Sequence, residues 1–285
     1  MSLPLPYPFD RDYMQLALAA GLVVAACAPL IGAFLVEKQL SLLGDGLGHL
    51  AFAGVAVGLL LAYSPLWSAL VVTVLGALAL EYLRARGKAS GDLVLALFFY
   101  GGIAAGAVIA SRATAEGQSV NVLPYLFGSI LTVTPNDVWL VVGLGAIIVV
   151  SVAVTGRALF AIVVDEESAR VSGLPVNLLN GLLVVLAAIT IVAATQVVGT
   201  LLVAALMVLP VASGRLLARS FRSTVLVAIG VGIFSVIFGL AAGRIWALAP
   251  GGAIVLVAGA VFALTAATTG LRRGSIAAIL AGPGH

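Results

Sequence analysis

From Met14 to Val36 the chain runs 23 residues without a charged side chain. A bilayer core takes roughly 20 apolar residues per helical crossing, so this single run already offers one complete span. Eight comparable runs follow: 47–63, 66–83, 93–110, 137–155, 178–195, 197–217, 225–242 and 252–269. They are continuous and rich in Leu, Ala and Val, without the strict alternation of an outer-membrane barrel. Hydrophobic residues make up 62% of the 285 positions and charged ones 9%, too little polar surface for a soluble domain. The expected fold is an all-α, polytopic membrane helix bundle of eight to nine transmembrane helices, in one domain covering 1–285. The least regular junction is Ser64-Pro65, where runs two and three meet at a tight turn; one of them is a candidate re-entrant segment.

Charge sets the orientation. Lys38, the Arg84 to Lys88 loop, the Arg157 to Arg170 loop, Arg215 to Arg222 and Arg272-Arg273 hold eleven of the fourteen basic residues. Placed in the cytoplasm, they satisfy the positive-inside bias and put the N-terminus outside and the C-terminus inside. Arg11, Arg112 and Arg244 are left on the far side. The net charge of +3 is spread over short loops, which is a topology signal and not a nucleic-acid surface. Cys27 is the one cysteine, which excludes a disulfide framework. The segment before Met14 carries Pro4, Pro6 and Pro8 and no basic n-region ahead of the first run, so no cleavable signal peptide is expected. Small residues recur at four-residue spacing, as in Gly54/Gly58, Gly102/Gly106 and Gly239/Gly243, and predict close helix approach.

Against this background the stretch from Leu43 to Gly58, LGDGLGHLAFAGVAVG, stands apart. Asp45 and His49 lie one helical turn apart on one face. Apart from His285 at the C-terminus, His49 is the chain's only histidine. Ionisable groups in a lipid-embedded helix point by default to function. Imidazole and carboxylate together suit zinc, manganese or iron. The plain alternative is that Asp45 caps the second helix and pairs with His49.

Three further stretches carry polar chemistry. The connection from Arg157 to Val176 contains Asp165, Glu166, Glu167, Arg170 and Gly173 ahead of Pro175, which predicts a short helix with an acidic start. It is either a docking helix for a soluble motor subunit or a solvated connection. Gln196, Gly199 and Pro210 mark an interrupted helix of the kind that lines a pathway, or else an external turn followed by a proline kink. Tyr125 to Asn136 reads as an external amphipathic or gate segment. Ser129 has no base placed near it, so hydrolase chemistry is not expected. The chain has no P-loop and no dinucleotide fingerprint; it is not expected to be an enzyme, and any ATP must bind another chain.

GDGLGHLAFAGVAVGLLL, YLFGSILTVTPND, VVGTLLVAALMVLPVASGRLLARSF and PGGAIVLVAGAVFAL, in that order, resemble blocks of the metal-type ABC importer permeases, the zinc and manganese group. The resemblance implies a multi-pass permease in the inner membrane of a prokaryote. It would be homodimeric or paired, joined by two cytoplasmic ABC ATPase subunits and fed by an extracytoplasmic metal-binding protein. No permanent cofactor is implied; the transported zinc or manganese is the cargo. Asp45 and His49 match the family's metal-relevant pair, and the segment from Asp165 to Gly173 matches its ATPase-coupling region. Two positions depart from the zinc-type pattern: Tyr100 stands where a histidine is common, and Leu248-Ala249 stand where an acid often precedes Pro250. Zinc is expected first, then manganese, with iron as a third candidate. The rivals are a stand-alone secondary metal carrier or channel, an ABC importer of a metal chelate, and a purely structural subunit. A carrier would need more ionisable residues within its spans. A midplane site would need the second helix to start near Gln39.

Overall fold

The computed structural model describes residues 6–86, 91–116 and 121–280, with side chains at 91 and 270–280 left aside. Lys88, Pro4 and His285 lie outside the described residues, as do the side chains of Arg272 and Arg273. Eleven helices and no strand occur among the described residues. They are α1 (Asp12–Glu37), α2 (Leu43–Leu60), α3 (Pro65–Ala85), α4 (Gly91–Ala115), α5 (Leu123–Phe127) and α6 (Pro135–Val164). Then come α7 (Glu166–Val171), α8 (Val176–Thr195), α9 (Val203–Leu217), α10 (Phe221–Ile245) and α11 (Pro250–Leu280).

Helix starts follow local chemistry. Pro65, Pro135 and Pro250 occupy first helical positions, where the missing N–H costs nothing. Reciprocal capping boxes open α6 (Thr134 with Asp137) and α10 (Ser220 with Ser223). Two helices extend past their apolar runs. The α2 helix begins at Leu43, four residues before the expected Leu47, and α6 continues through Arg157 to Val164. The supposed loop from Arg157 is therefore helical over its first eight residues, because an isolated charge at a helix end reaches the interface without breaking the backbone ladder.

Among the described residues eight helices are long and apolar enough to cross a membrane: α1, α2, α3, α4, α6, α8, α10 and α11. The seventh run is the exception. Its helix, α9, has 15 residues and spans about 22 Å, short of a bilayer core of roughly 30 Å. The short segment is thus α9 and not α2 or α3, which have 18 and 21 residues.

Two-thirds or more of the most apolar stretches of α1, α2 and α8 is buried, against a third or less in α3, α4, α6, α10 and α11. The first three form the interior; the others present residues such as Leu97, Val108, Val150, Val154, Leu226 and Leu256 outward, as a lipid-solvated surface requires. Small residues set the close contacts. A Cβ on Gly54 would sit 2.6 Å from Ala69 Cα, one on Gly102 would sit 2.9 Å from the His49 carbonyl carbon, and one on Gly239 would sit 2.5 Å from Ile254 Cα. The recurrent glycines are therefore packing devices.

Candidate functional site

The α2 helix carries both Asp45 and His49, but they do different things. Asp45 falls in the first turn and makes no capping hydrogen bond. No hydrogen bond or ion pair joins it to His49, so the helix-cap pairing is not what this fold uses. Asp45 instead lines a cleft of about 210 Å³ between α2 and α4, with Leu42, Asp92, Leu95, Phe99 and Tyr100 around it. A second cavity of about 180 Å³ shares Leu42, Asp92 and Leu95 and reaches Gln39 and Arg84 at the helix ends. The imidazole of His49 stands edge-on to Phe99, centroids 4.3 Å apart. Its Nδ1 is buried without a partner, an unsatisfied group that calls for a role.

Asp92 was not singled out from the sequence. An acid in the first turn of α4 reads as an ordinary helix-start signal, and nothing local reveals that α2 brings Asp45 to the same cleft. Tyr100 lines that cleft and is largely exposed, stacked edge-on to Phe99 at 5.2 Å. Among the described residues no three His, Cys, Asp or Glu side chains converge on one point.

The second element is a turn inside the bundle. After Thr195 the chain leaves helical geometry over Gln196 to Leu202, and Gly199 takes φ +90°. Val197 packs on Gly21 of α1, which puts the turn roughly 14 Å along α1 from its start. Non-helical backbone at such depth must find partners in protein, and α5 supplies them. Thr200 N donates to Tyr125 O at 2.8 Å, Leu201 N to Leu126 O at 3.3 Å, and Ser129 N to Gln196 O at 3.0 Å. Gly128, at φ +76°, would place a Cβ 2.3 Å from Val197 O. The start of α11 closes the cluster, since a Cβ on Gly251 would overlap Val198 O. Gln196 is buried here, and Pro210 lies within α9. Of the three marked residues, Gln196 and Gly199 lie in the interruption and Pro210 does not break its helix. The same turn reaches α2: a Cβ on Gly48 would sit 2.6 Å from Thr200 O. The Thr200 hydroxyl, like His49 Nδ1, is buried without a partner.

The third element is α7. Asp165 caps it, accepting from Ser168 N at 3.0 Å and Ser168 Oγ at 2.5 Å. Glu166 accepts from Lys38 Nζ at 3.1 Å and pairs with Arg170 at 3.4 Å. Glu167, Arg170 and Val171 are exposed, and Gly173 N closes the helix onto Arg170 O at 3.1 Å. The Ser168 hydroxyl, then its N–H, hold Asp165 below the usual carboxylate range. Burial would raise Glu166, but the Lys38 hydrogen bond and charge, with Asn180 and Arg170, outweigh it and lower it. Both groups stabilise α7 above the ordinary carboxylate range, and that contribution is lost as pH falls through their lowered values. Amide exchange over 165–174, corrected for intrinsic rates, is expected to accelerate relative to 183–194 between about pH 5 and about pH 3. Equal protection at both pH values would remove these carboxylates from the stability of α7.

Outward-facing apolar helices around an interior broken by a glycine turn, with an acidic cleft beside it, make a polytopic membrane helix bundle. The chain belongs to the ABC 3 transport family, whose profile matches residues 10–269. It is 31% identical to the manganese transport system membrane protein MntC of Halalkalibacterium halodurans, over 91% of this chain and 90% of that protein. It is 30% identical to the high-affinity zinc uptake system membrane protein ZnuB of Haemophilus influenzae, over 87% of this chain and 95% of that protein. In three dimensions it is similar to a chain of PsaBC from Streptococcus pneumoniae in complex with Fab, with a TM-score of 0.80 at 29% identity, covering 90% of this chain and 91% of that one. The family expected from the four sequence blocks is the family found.

Proposed function

We propose that this chain is the membrane-spanning subunit of an ATP-driven importer for a divalent transition metal, manganese or zinc. The observation that carries this reading is the Asp45 cleft: a half-buried carboxylate without a hydrogen-bond partner, one turn from an unpartnered imidazole nitrogen, in a helix of membrane-spanning length. Relatives named for manganese and for zinc transport support the cargo class. Within that class the donors lean toward manganese, where the resemblance put zinc first. Asp45 and Asp92 line the cleft and would supply carboxylate oxygens, while His49 is not part of that lining and Tyr100 adds no nitrogen ligand.

Two donors hold a metal loosely, which suits transport. A second copy of the chain against the α2–α4 face would double the donor set and cover carboxylates that lipid cannot solvate. The 1–285 unit then acts as a single permease domain in the inner membrane of a prokaryote. Its α7 end would meet two ATPase subunits, and the opposite end would receive metal from a binding protein. Closure of the ATPases would bias the bundle between outward- and inward-facing arrangements, with the turn around Gly199 as the movable joint.

The test is uptake of manganese and of zinc into proteoliposomes holding the chain, its ATPase and its binding protein. Uptake that requires ATP and favours manganese is expected. Uptake that persists without the ATPase would replace this reading by a secondary carrier, and preference for zinc would overturn the choice of metal.

A further inference from the structure

In the sequence Lys38 is one topology charge among eleven. In the structure its side chain is 12% exposed and its ammonium joins three elements. It donates to Glu166 Oε2 on α7 at 3.1 Å and to Asn180 Oδ1 on α8. Asn180, itself buried, donates from Nδ2 to the same Glu166 oxygen at 3.4 Å. Such a node is satisfied only as a unit, because a lysine shielded to this degree is costly without its acceptors.

The position of Lys38 gives the node its consequence. It is the C-cap residue of α1, and the link from it to α2 is short and pinned. Lys38 N donates to Phe34 O at 3.0 Å, Leu40 N to Leu35 O at 2.8 Å, and Leu43 N to Leu40 O at 3.0 Å. The α2 helix then starts at Leu43, and Asp45 is its third residue. Seven positions along a hydrogen-bonded link therefore separate Lys38 from the carboxylate-bearing Asp45. On the other side, α7 packs on α6 and α8, its neighbours in sequence, and Glu166 is its grip on the α1–α2 link.

We propose that Lys38 is a positioning residue for coupling: through Glu166 it ties α7 to the start of α2, so that displacement of α7 is transmitted to Asp45. This rests on the importer reading given above and names the joint through which it would work. Coupling is carried by packed or bonded elements that both sites bias, and the Lys38–Glu166–Asn180 node is such an element.

The experiment measures manganese taken up per ATP hydrolysed by the reconstituted complex. Lys38→Met is expected to keep hydrolysis within about twofold of wild type and to lower uptake per ATP about tenfold, and Glu166→Gln to lower the same ratio by a similar factor. The exchange Lys38→Glu with Glu166→Lys is expected to recover most of the ratio, and Lys38→Arg to retain it. Glutamine at 166 keeps an oxygen that can accept from the Lys38 ammonium, so this variant stays folded even where loss of the lysine destabilises the node. An unchanged ratio in Glu166→Gln overturns the proposal, as does an exchanged pair no better than the single variants. Wild-type complex without ATP-driven uptake would overturn the importer reading and this inference together; wild-type uptake with unchanged variant ratios would overturn the inference alone.

Discussion

Asp45→Ala is expected to lower ATP-driven metal uptake by on the order of a hundredfold while leaving the protein folded. The size follows from the donor count. Loss of an outer-shell partner alone costs about 10–100-fold in metal affinity, and here one of two candidate ligands on α2 disappears. The small cost to stability follows from what Asp45 does not do. It makes no cap bond and no ion pair in this structure, so removal forfeits only its helix-dipole attraction, about 0.3–1 kcal/mol. Relief from desolvation offsets part of that. The measurement is radiotracer uptake alongside thermal unfolding of the purified complex. An unchanged melting curve with uptake lost would assign Asp45 to the pathway. Wild-type uptake in the variant would remove the cleft from the mechanism. Asp92→Ala in the same assay asks whether the second carboxylate shares the cargo; its place at the mouth of the same cleft predicts a smaller loss in the same direction.

The sequence made the spans legible because lipid imposes a simple rule: an uncharged run of sufficient length must be a helix. It left the ends of those spans illegible. Helix α6 continues past Arg157 and α2 begins ahead of Asp45, because hydrogen bonding along the backbone does not stop where hydropathy drops. With α2 starting at Leu43 and not near Gln39, Asp45 lies in the first turn of α2, at the end where Lys38 meets α7. Asp45 and His49 were legible as a pair by spacing, yet their separate environments were not, since Asp92 and Phe99 come from α4. Lys38 failed for the same reason: Glu166 and Asn180 lie 128 and 142 residues away. Local pattern marks which residues are out of place in a membrane; only tertiary contact shows what each of them faces.

The buried turn supplies the other large effect. Gly199→Val is expected to abolish accumulation of folded protein. At φ +90° the backbone is one that a β-branched residue resists, costing about 1–2 kcal/mol on its own. The new Cβ would lie 2.3 Å from Leu126 O and 2.5 Å from Gly128 N. Those atoms are backbone, so relief requires α5 to move away. Its departure breaks the bonds to Thr200 N and Leu201 N, and each buried amide left unpaired costs about 1–3 kcal/mol. The sum, about 3–8 kcal/mol, matches the whole stability of a typical domain, about 5–15 kcal/mol. Gly230→Val is the control, since a Cβ there meets nothing within 4 Å. Size-exclusion profiles of the solubilised variants should show Gly230→Val as wild type and Gly199→Val aggregated or missing. A monodisperse Gly199→Val protein with a normal melting curve would mean that α5 does not hold the turn. The turn would then be a loose loop, and the joint proposed for gating would have to lie elsewhere in the bundle. If the variant instead fails as expected, the backbone bonds from α5 are what allow α8 and α9 to part inside the membrane, and a transporter that must open there gains its hinge from the same contacts that make it fold.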